Sequence, residues 1–162
     1  MKNPKVIFDC MIFLQALISP KSVAFKLFEY FQKDEFTLFI SKEILGEITN
    51  VLSRSYIRAS NLQITDESVE TFLEGVLKKA VFVKTVPPKF KYPRDPKDEK
   101  YINLALEVKA GYIVSRDNDL LDLMHDVSMA GKEFRQKTRP LKIVEPIEFL
   151  QILANQYLPL KP

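Results

Sequence analysis

Residues 5–9 have the sequence KVIFD, a short apolar run that stops at an aspartate. Such a run of bulky side chains is typical of a strand buried in a parallel sheet. Similar runs occur at residues 36–40, 81–86, 112–114 and 142–144. Apolar side chains at helical spacing occur at residues 22–33, 41–52, 65–77, 98–109 and 147–156. This alternation predicts an α/β fold with a central, mainly parallel, five-stranded sheet flanked by helices.

Two polar segments interrupt this pattern. Residues 87–96 are rich in proline and lysine, and residues 131–140 are rich in charged side chains, so both are predicted to be loops. Neither segment is long enough to divide the chain, and the sequence has no internal repeat. We therefore expect one domain that spans residues 1–162.

The composition excludes several classes of protein. Twelve Phe and six Tyr in 162 residues provide enough apolar surface for a folded core. One Cys and one His exclude a disulfide framework, a cysteine-ligated zinc site and a multi-histidine metal site. No apolar run approaches the ~20 residues that a membrane-spanning helix needs, so we expect a cytoplasmic protein without a membrane partner. The net charge of +3 is compatible with a polyanionic partner.

Four acidic residues are predicted to meet at one end of the sheet. Asp9 and Asp117 follow the first and fourth predicted strands, where ligands bind in folds of this kind. Asp98 begins a predicted helix, and Glu47 lies at the edge of the apolar face of another. A group of carboxylates without His or Cys ligands favours a hard cation such as Mg²⁺ or Mn²⁺. With such a cation, hydrolysis of a phosphodiester is the expected chemistry.

Several segments together resemble PIN-domain nucleases, and within them the VapC-like toxins of toxin–antitoxin pairs. They are KVIFD at Asp9, SKEILGEITNVL around Glu47, RDPKDEKYINLALE around Asp98 and GYIVSRDNDLL around Asp117. Each segment is weak evidence alone, whereas their order and spacing are specific. The resemblance covers nearly the whole chain.

The resemblance implies a metal-dependent endoribonuclease with strand order 3-2-1-4-5 and one or two Mg²⁺ or Mn²⁺ ions. It implies metal ligation and catalysis by Asp9, Glu47, Asp98 and Asp117. Asp119 would assist at the metal, and Ser115 would hold a water or a ligand. It also implies an RNA substrate, a homodimer and an antitoxin protein as partners.

The segment after Asp9 departs from the family pattern. Most members have Asp-Thr-Asn, whereas this chain has Asp9, Cys10 and Met11. Because methionine cannot make the hydrogen bonds of asparagine, the alternative prediction is a catalytically weakened PIN-like module that binds RNA or protein. A metal-dependent phosphatase or a phosphate receiver ranks lower, since no lysine is evident at the end of the fifth strand.

Basic residues near these acids are candidates for contact with RNA. Arg94, Lys97 and Arg116 are predicted to hold the phosphate backbone, with Lys100 beside them. The basic residues of the 131–142 segment fit a solvated loop and an RNA contact equally well. Asp95, which precedes a proline, is expected to shape its loop, and Cys10 is expected to be a core residue. His125 is expected at the surface.

Overall fold

The computed structural model of the protein describes residues 3–125 and 128–156. Its strands form one sheet and are β1 (Lys5–Phe8), β2 (Thr37–Ser41), β3 (Val81–Val83), β4 (Tyr112–Val114) and β5 (Lys142–Val144). All four strand pairs are parallel, and the strand order is β3-β2-β1-β4-β5. The structure confirms both the predicted α/β class and the strand order that the resemblance implied.

Helices connect these strands. In the described part of the chain the α-helices are α1 (Cys10–Ile18), α2 (Val23–Gln32), α3 (Lys42–Ser53), α4 (Ser55–Ser60), α5 (Asp66–Lys79), α6 (Glu99–Val108), α7 (Asn118–Leu121), α8 (Met129–Thr138) and α9 (Pro146–Asn155). Two short 3₁₀ helices cover Pro96–Asp98 and Asp122–Met124.

Polar residues at the ends of three strands, or up to three positions beyond them, cap the helices that follow. Asp9 accepts a hydrogen bond from the backbone N–H of Met11 at 3.1 Å, and α1 begins there. Ser41 accepts from Ile44 N–H at 3.1 Å and starts α3 in the same way. Asp117 accepts from the N–H of Asp119 at 2.9 Å. The chain therefore turns sharply at the carboxyl ends of β1, β2 and β4, which keeps these residues at one edge of the sheet.

An aromatic cluster holds three helices against the sheet. Phe8, at the end of the central strand β1, contacts rings from α1, α2 and α9 with centroid separations of 5.4–6.5 Å. These rings belong to Phe13, Phe28 and Phe149, and all of them are buried. Edge-to-face packing of this kind stabilises a core beyond the area it buries. The position of Asp9, the next residue, is accordingly fixed by a buried, well-packed part of the core.

The third strand is shorter than predicted. It covers Val81–Val83 instead of residues 81–86, because its last pair joins Val83 to Ser41, where β2 ends and α3 begins. Among the described strands, only β2 pairs with this edge strand, whose Phe82 side chain is 46% exposed.

The prediction of a loop at residues 131–140 was wrong. Residues 131–138 lie within α8, which begins after Ser128, and only residues 139–140 form a turn. The Ser128 side chain accepts from Gly131 N–H at 3.3 Å. The buried residues Phe134 and Thr138 are four positions apart on one helix face, and Phe134 packs on Phe90 at 6.0 Å. The many charged side chains concealed this narrow apolar face, which tertiary packing stabilises.

No single helix among the described residues is long and apolar enough to cross a membrane. Helices α1 and α2 together have the length and apolar composition of a membrane span, but the chain bends by 100° between them.

Candidate metal centre

The register of two neighbouring strands places Asp9 and Ser115 side by side. Phe8 of β1 pairs with Val114 of β4, so the next residues of both strands leave the sheet together. Asp9 N–H donates to the carbonyl of Val114 at 3.0 Å. Ser115 Oγ donates to Asp9 Oδ2 at 2.6 Å and accepts from Asp117 N–H at 2.9 Å. Ser115, which is fully buried, thus links Asp9 to the backbone of Asp117.

The four acids predicted as metal ligands line one cavity of about 380 Å³. Its walls also contain side chains from the loop before α6 and from the first turns of α1. The complete lining is Asp9, Cys10, Met11, Gln15, Glu47, Asp95, Lys97, Asp98, Arg116 and Asp117. Asp119 does not line the cavity, although its carboxylate belongs to a close group. That group consists of Asp95, Asp98, Asp117 and Asp119, with one oxygen of each within 4.8 Å of the others.

Asp98 has the least compensated charge in this cavity. Its side chain is 6% exposed, and its Oδ2 atom is buried without a hydrogen-bond partner. Burial and the negative charge of Asp117 raise the pKa of Asp98 to about 8. Burial also raises the pKa of Asp9, although the hydrogen bond from Ser115 opposes this shift. Binding of a cation would relieve the cost of both buried carboxyl groups.

Glu47, in contrast, is already compensated. Its Oε2 lies 2.5 Å from the ammonium group of Lys100, and its Oε1 accepts a hydrogen bond from the hydroxyl of Tyr101. Burial acts to raise the pKa of Glu47, but hydrogen bonds from Cys10, Lys100 and Tyr101 outweigh it and the net shift is downward. Glu47 is therefore an ionised carboxylate with a cation of the protein beside it.

Tyr101 joins three helices behind the cavity. Its hydroxyl donates to Glu47 of α3 and accepts from the backbone N–H of Cys10 in α1 at 3.1 Å. Cys10 is 7% exposed, as expected for a core residue. Burial raises the pKa of its thiol, which keeps the sulfur protonated and unsuited to bind a metal as thiolate.

The predicted RNA-binding cations occupy two different environments. Lys97 and Arg116 are exposed and line the cavity. Arg94 instead pairs with Asp119 at 2.7 Å and with Asp122 at 2.8 Å. Arg94 thus neutralises Asp119, the member of the acidic group that does not line the cavity.

The remaining predictions concern single side chains. Asp95 shapes its loop as expected, because its Oδ1 accepts from Lys97 N–H at 3.1 Å, and it also lines the cavity. His125 is exposed at the end of a 3₁₀ helix, as expected. Met11 is 41% exposed at the cavity wall, so this position offers no hydrogen-bonding side chain there.

The sequence reasoning missed Gln15 and Tyr101 and gave Lys100 only a general role near RNA. Tyr101 follows Asp98 by three positions, a spacing that places both on one side of a helical turn. Gln15 is the one polar side chain in the apolar helix CMIFLQALI, and its Oε1 is buried without a partner. Both signals were present in the sequence, although neither identifies the contacting atoms.

Comparisons with known proteins agree with this architecture. Residues 5–119 match the PIN domain family, and because this is more than half of its length the chain belongs to that family. An uncharacterized protein of Methanocaldococcus jannaschii, MJ1680, is 28% identical over 151 residues, which cover 91% of this chain and 90% of the relative. PIN domains are generally metal-dependent nucleases, so the family and the acidic cavity support a nuclease-type function with a divalent metal.

Proposed function

We propose that the protein is a metal-dependent endoribonuclease that hydrolyses phosphodiester bonds in RNA. The observation that carries this proposal is the buried, unpartnered Oδ2 of Asp98 in a cavity that also contains Asp9 and Asp117. An isolated buried carboxylate is costly, and an opposite charge is the usual compensation. An oxygen-only set of ligands from carboxylates fits Mg²⁺ or Mn²⁺.

The residues around the cavity have different roles in the proposed reaction. Asp98, Asp9 and Asp117 are the candidates to hold the cation, and Ser115 orients Asp9 through its hydrogen bond. When bound, the cation supplies a nucleophilic water and neutralises charge on the phosphate. Lys97 and Arg116 line the cavity wall, and in this proposal they bind backbone phosphates and so position the scissile bond.

The biological part of the proposal is the toxin of a toxin–antitoxin pair, acting as a homodimer in the cytoplasm and inhibited by a small antitoxin protein. Its support is the resemblance of four ordered sequence segments to VapC-like toxins. Growth arrest on induced expression of the native chain, absent for Asp98→Asn, is the expected result in cells.

Cleavage of a mixed RNA pool by purified protein tests the enzymatic proposal. We expect cleavage with Mn²⁺ or Mg²⁺, none with EDTA, and a loss of at least about 100-fold for Asp9→Asn. Glu74→Gln is the matched control, because Glu74 is an exposed acid of α5 and lies outside the cavity. Well-folded protein that cleaves no RNA with either metal would contradict the proposal and turn attention to a binding role.

A further inference from the structure

Lys100 is held in place from three sides. Its ammonium group lies 2.5 Å from Glu47 Oε2, donates to the carbonyl of Lys97, and lies 5.2 Å from the centroid of the Tyr101 ring. The side chains of Lys100 and Glu47 are only 14% and 27% exposed. Water therefore screens this ion pair much less than it screens a surface pair.

The negative charge of Glu47 is already compensated within the protein. The ammonium group of Lys100 lies at one of its oxygens, and the Tyr101 hydroxyl donates to the other. If Glu47 bound a metal instead, the Lys100 ammonium group would stay largely buried without its carboxylate. An uncompensated buried charge is strongly unfavourable.

The other acids of the cavity have the opposite character. Within the described parts of the chain, Asp9, Asp98 and Asp117 have no cationic side chain within 4 Å. Asp98 in addition has a buried oxygen with no partner. In the metal-free protein, Lys100 thus neutralises the charge of Glu47. The carboxyl group of Asp98, which lines the same cavity, has no such cation among the described residues.

We propose that Lys100 provides the second positive charge of the site, so that the protein binds one divalent cation at Asp9, Asp98 and Asp117, with Glu47 as the anchor of Lys100. This inference rests on the proposed metal-dependent function and specifies its metal stoichiometry. In two-metal nuclease sites the ions lie about 3.5–4 Å apart and both require carboxylate ligands. Here the ammonium group of Lys100 already neutralises the Glu47 carboxylate, which a second ion would need as a ligand.

Calorimetric titration of the metal-free protein with MnCl₂ tests this assignment, with electron paramagnetic resonance to count bound Mn²⁺. We expect one site in the native protein and in Glu47→Gln, with affinities that differ by less than about threefold. Asp98→Asn should weaken binding by more than about tenfold. Lys100→Met should expose a second, weaker site, because it releases the Glu47 carboxylate beside Asp9.

Lys97→Met is the matched control for the loss of a lysine charge. Lys97 lines the same cavity, but it is exposed and has no ion pair among the described residues. This variant should keep one site. If Lys100→Met does not fold, the double variant Glu47→Gln with Lys100→Met removes both charges together and should retain one site.

Two equal sites in the native protein would overturn the inference, as would a loss of at least about tenfold in affinity for folded Glu47→Gln. Either result would leave the proposed nuclease function intact. Native protein that binds no Mn²⁺ would contradict the metal-dependent function itself, so the two failures are distinguishable.

Discussion

Folding buries the Asp98 carboxyl next to Asp117, and its contribution to stability consequently depends on pH. The pKa rises from an ordinary value of 3.8 to about 8, so between these values the folded chain binds a proton that the unfolded chain releases. The free energy of unfolding of the metal-free protein should therefore fall as the pH rises from about 4 to 8. Asp9 should also lower the free energy of unfolding as the pH rises, because burial raises the pKa of its carboxyl group.

Urea unfolding in EDTA at about pH 5 and pH 8 measures this effect. We expect a loss of at least about 1 kcal/mol in the native protein over this interval, and a clearly smaller loss in Asp98→Asn. Equal pH dependence in the two proteins would show that Asp98 is not the group that titrates.

Gln15 presents a second buried polar atom without a partner. Its Oε1 is enclosed, whereas the amide of Gln63 donates to the carbonyl of Ile18 at 2.8 Å. Gln15→Met removes an unsatisfied acceptor at similar volume and should raise the free energy of unfolding by about 1 kcal/mol. Gln63→Met removes a formed hydrogen bond and should lower it by about 0.5–1 kcal/mol.

Urea unfolding in EDTA distinguishes the two glutamine variants. Greater destabilisation by Gln15→Met than by Gln63→Met would mean that the Gln15 amide is already bonded in the folded protein.

At the scale of elements, α3 brings Glu47 to the cavity, and its start depends on the capping residue Ser41 just before it. Ser41 is 2% exposed, and its hydroxyl accepts from Ile44 N–H at 3.1 Å. Ser41→Ala should lower the free energy of unfolding by about 1 kcal/mol, because a helix N-cap is lost. Ser53→Ala, at the exposed end of the same helix, should change it by less than about 0.5 kcal/mol.

Thermal or urea unfolding of the two serine variants checks this prediction. A similar effect of both would show that the Ser41 hydroxyl does not stabilise the start of α3.

Helices with a regular apolar face were predictable, whereas others, among them α1 and α8, were not. The pattern of α5 is clear from the sequence, and Thr65 caps it together with Ser68. Helix α1 is apolar on nearly all sides, so its periodicity gives no signal, and α8 has an apolar face too narrow to detect. Both helices depend on packing against the rest of the molecule, which local propensity does not contain.

At the scale of the whole molecule, strand order assembles the cavity. Asp9 and Asp117 follow β1 and β4. These two strands are adjacent in the sheet, although residues 9–111 lie between them in the chain. Asp98, which directly precedes α6, reaches the same edge because α6 packs against β1 and β2. Ligands in folds of this kind bind at such an edge, where the strand order reverses direction.

The sequence by itself determined the α/β class, the positions of the strands and the acids that reach the carboxyl end of the sheet. These features depend on local periodicity and on which residue follows each strand. Only the tertiary structure decided which acids receive partners within the protein. Tyr101 reaches Glu47 over 54 positions in sequence and Ser115 reaches Asp9 over 106, through strand register and helix packing. Because such contacts form between distant segments, burial and charge compensation at Asp98 and Glu47 became visible only in the folded protein.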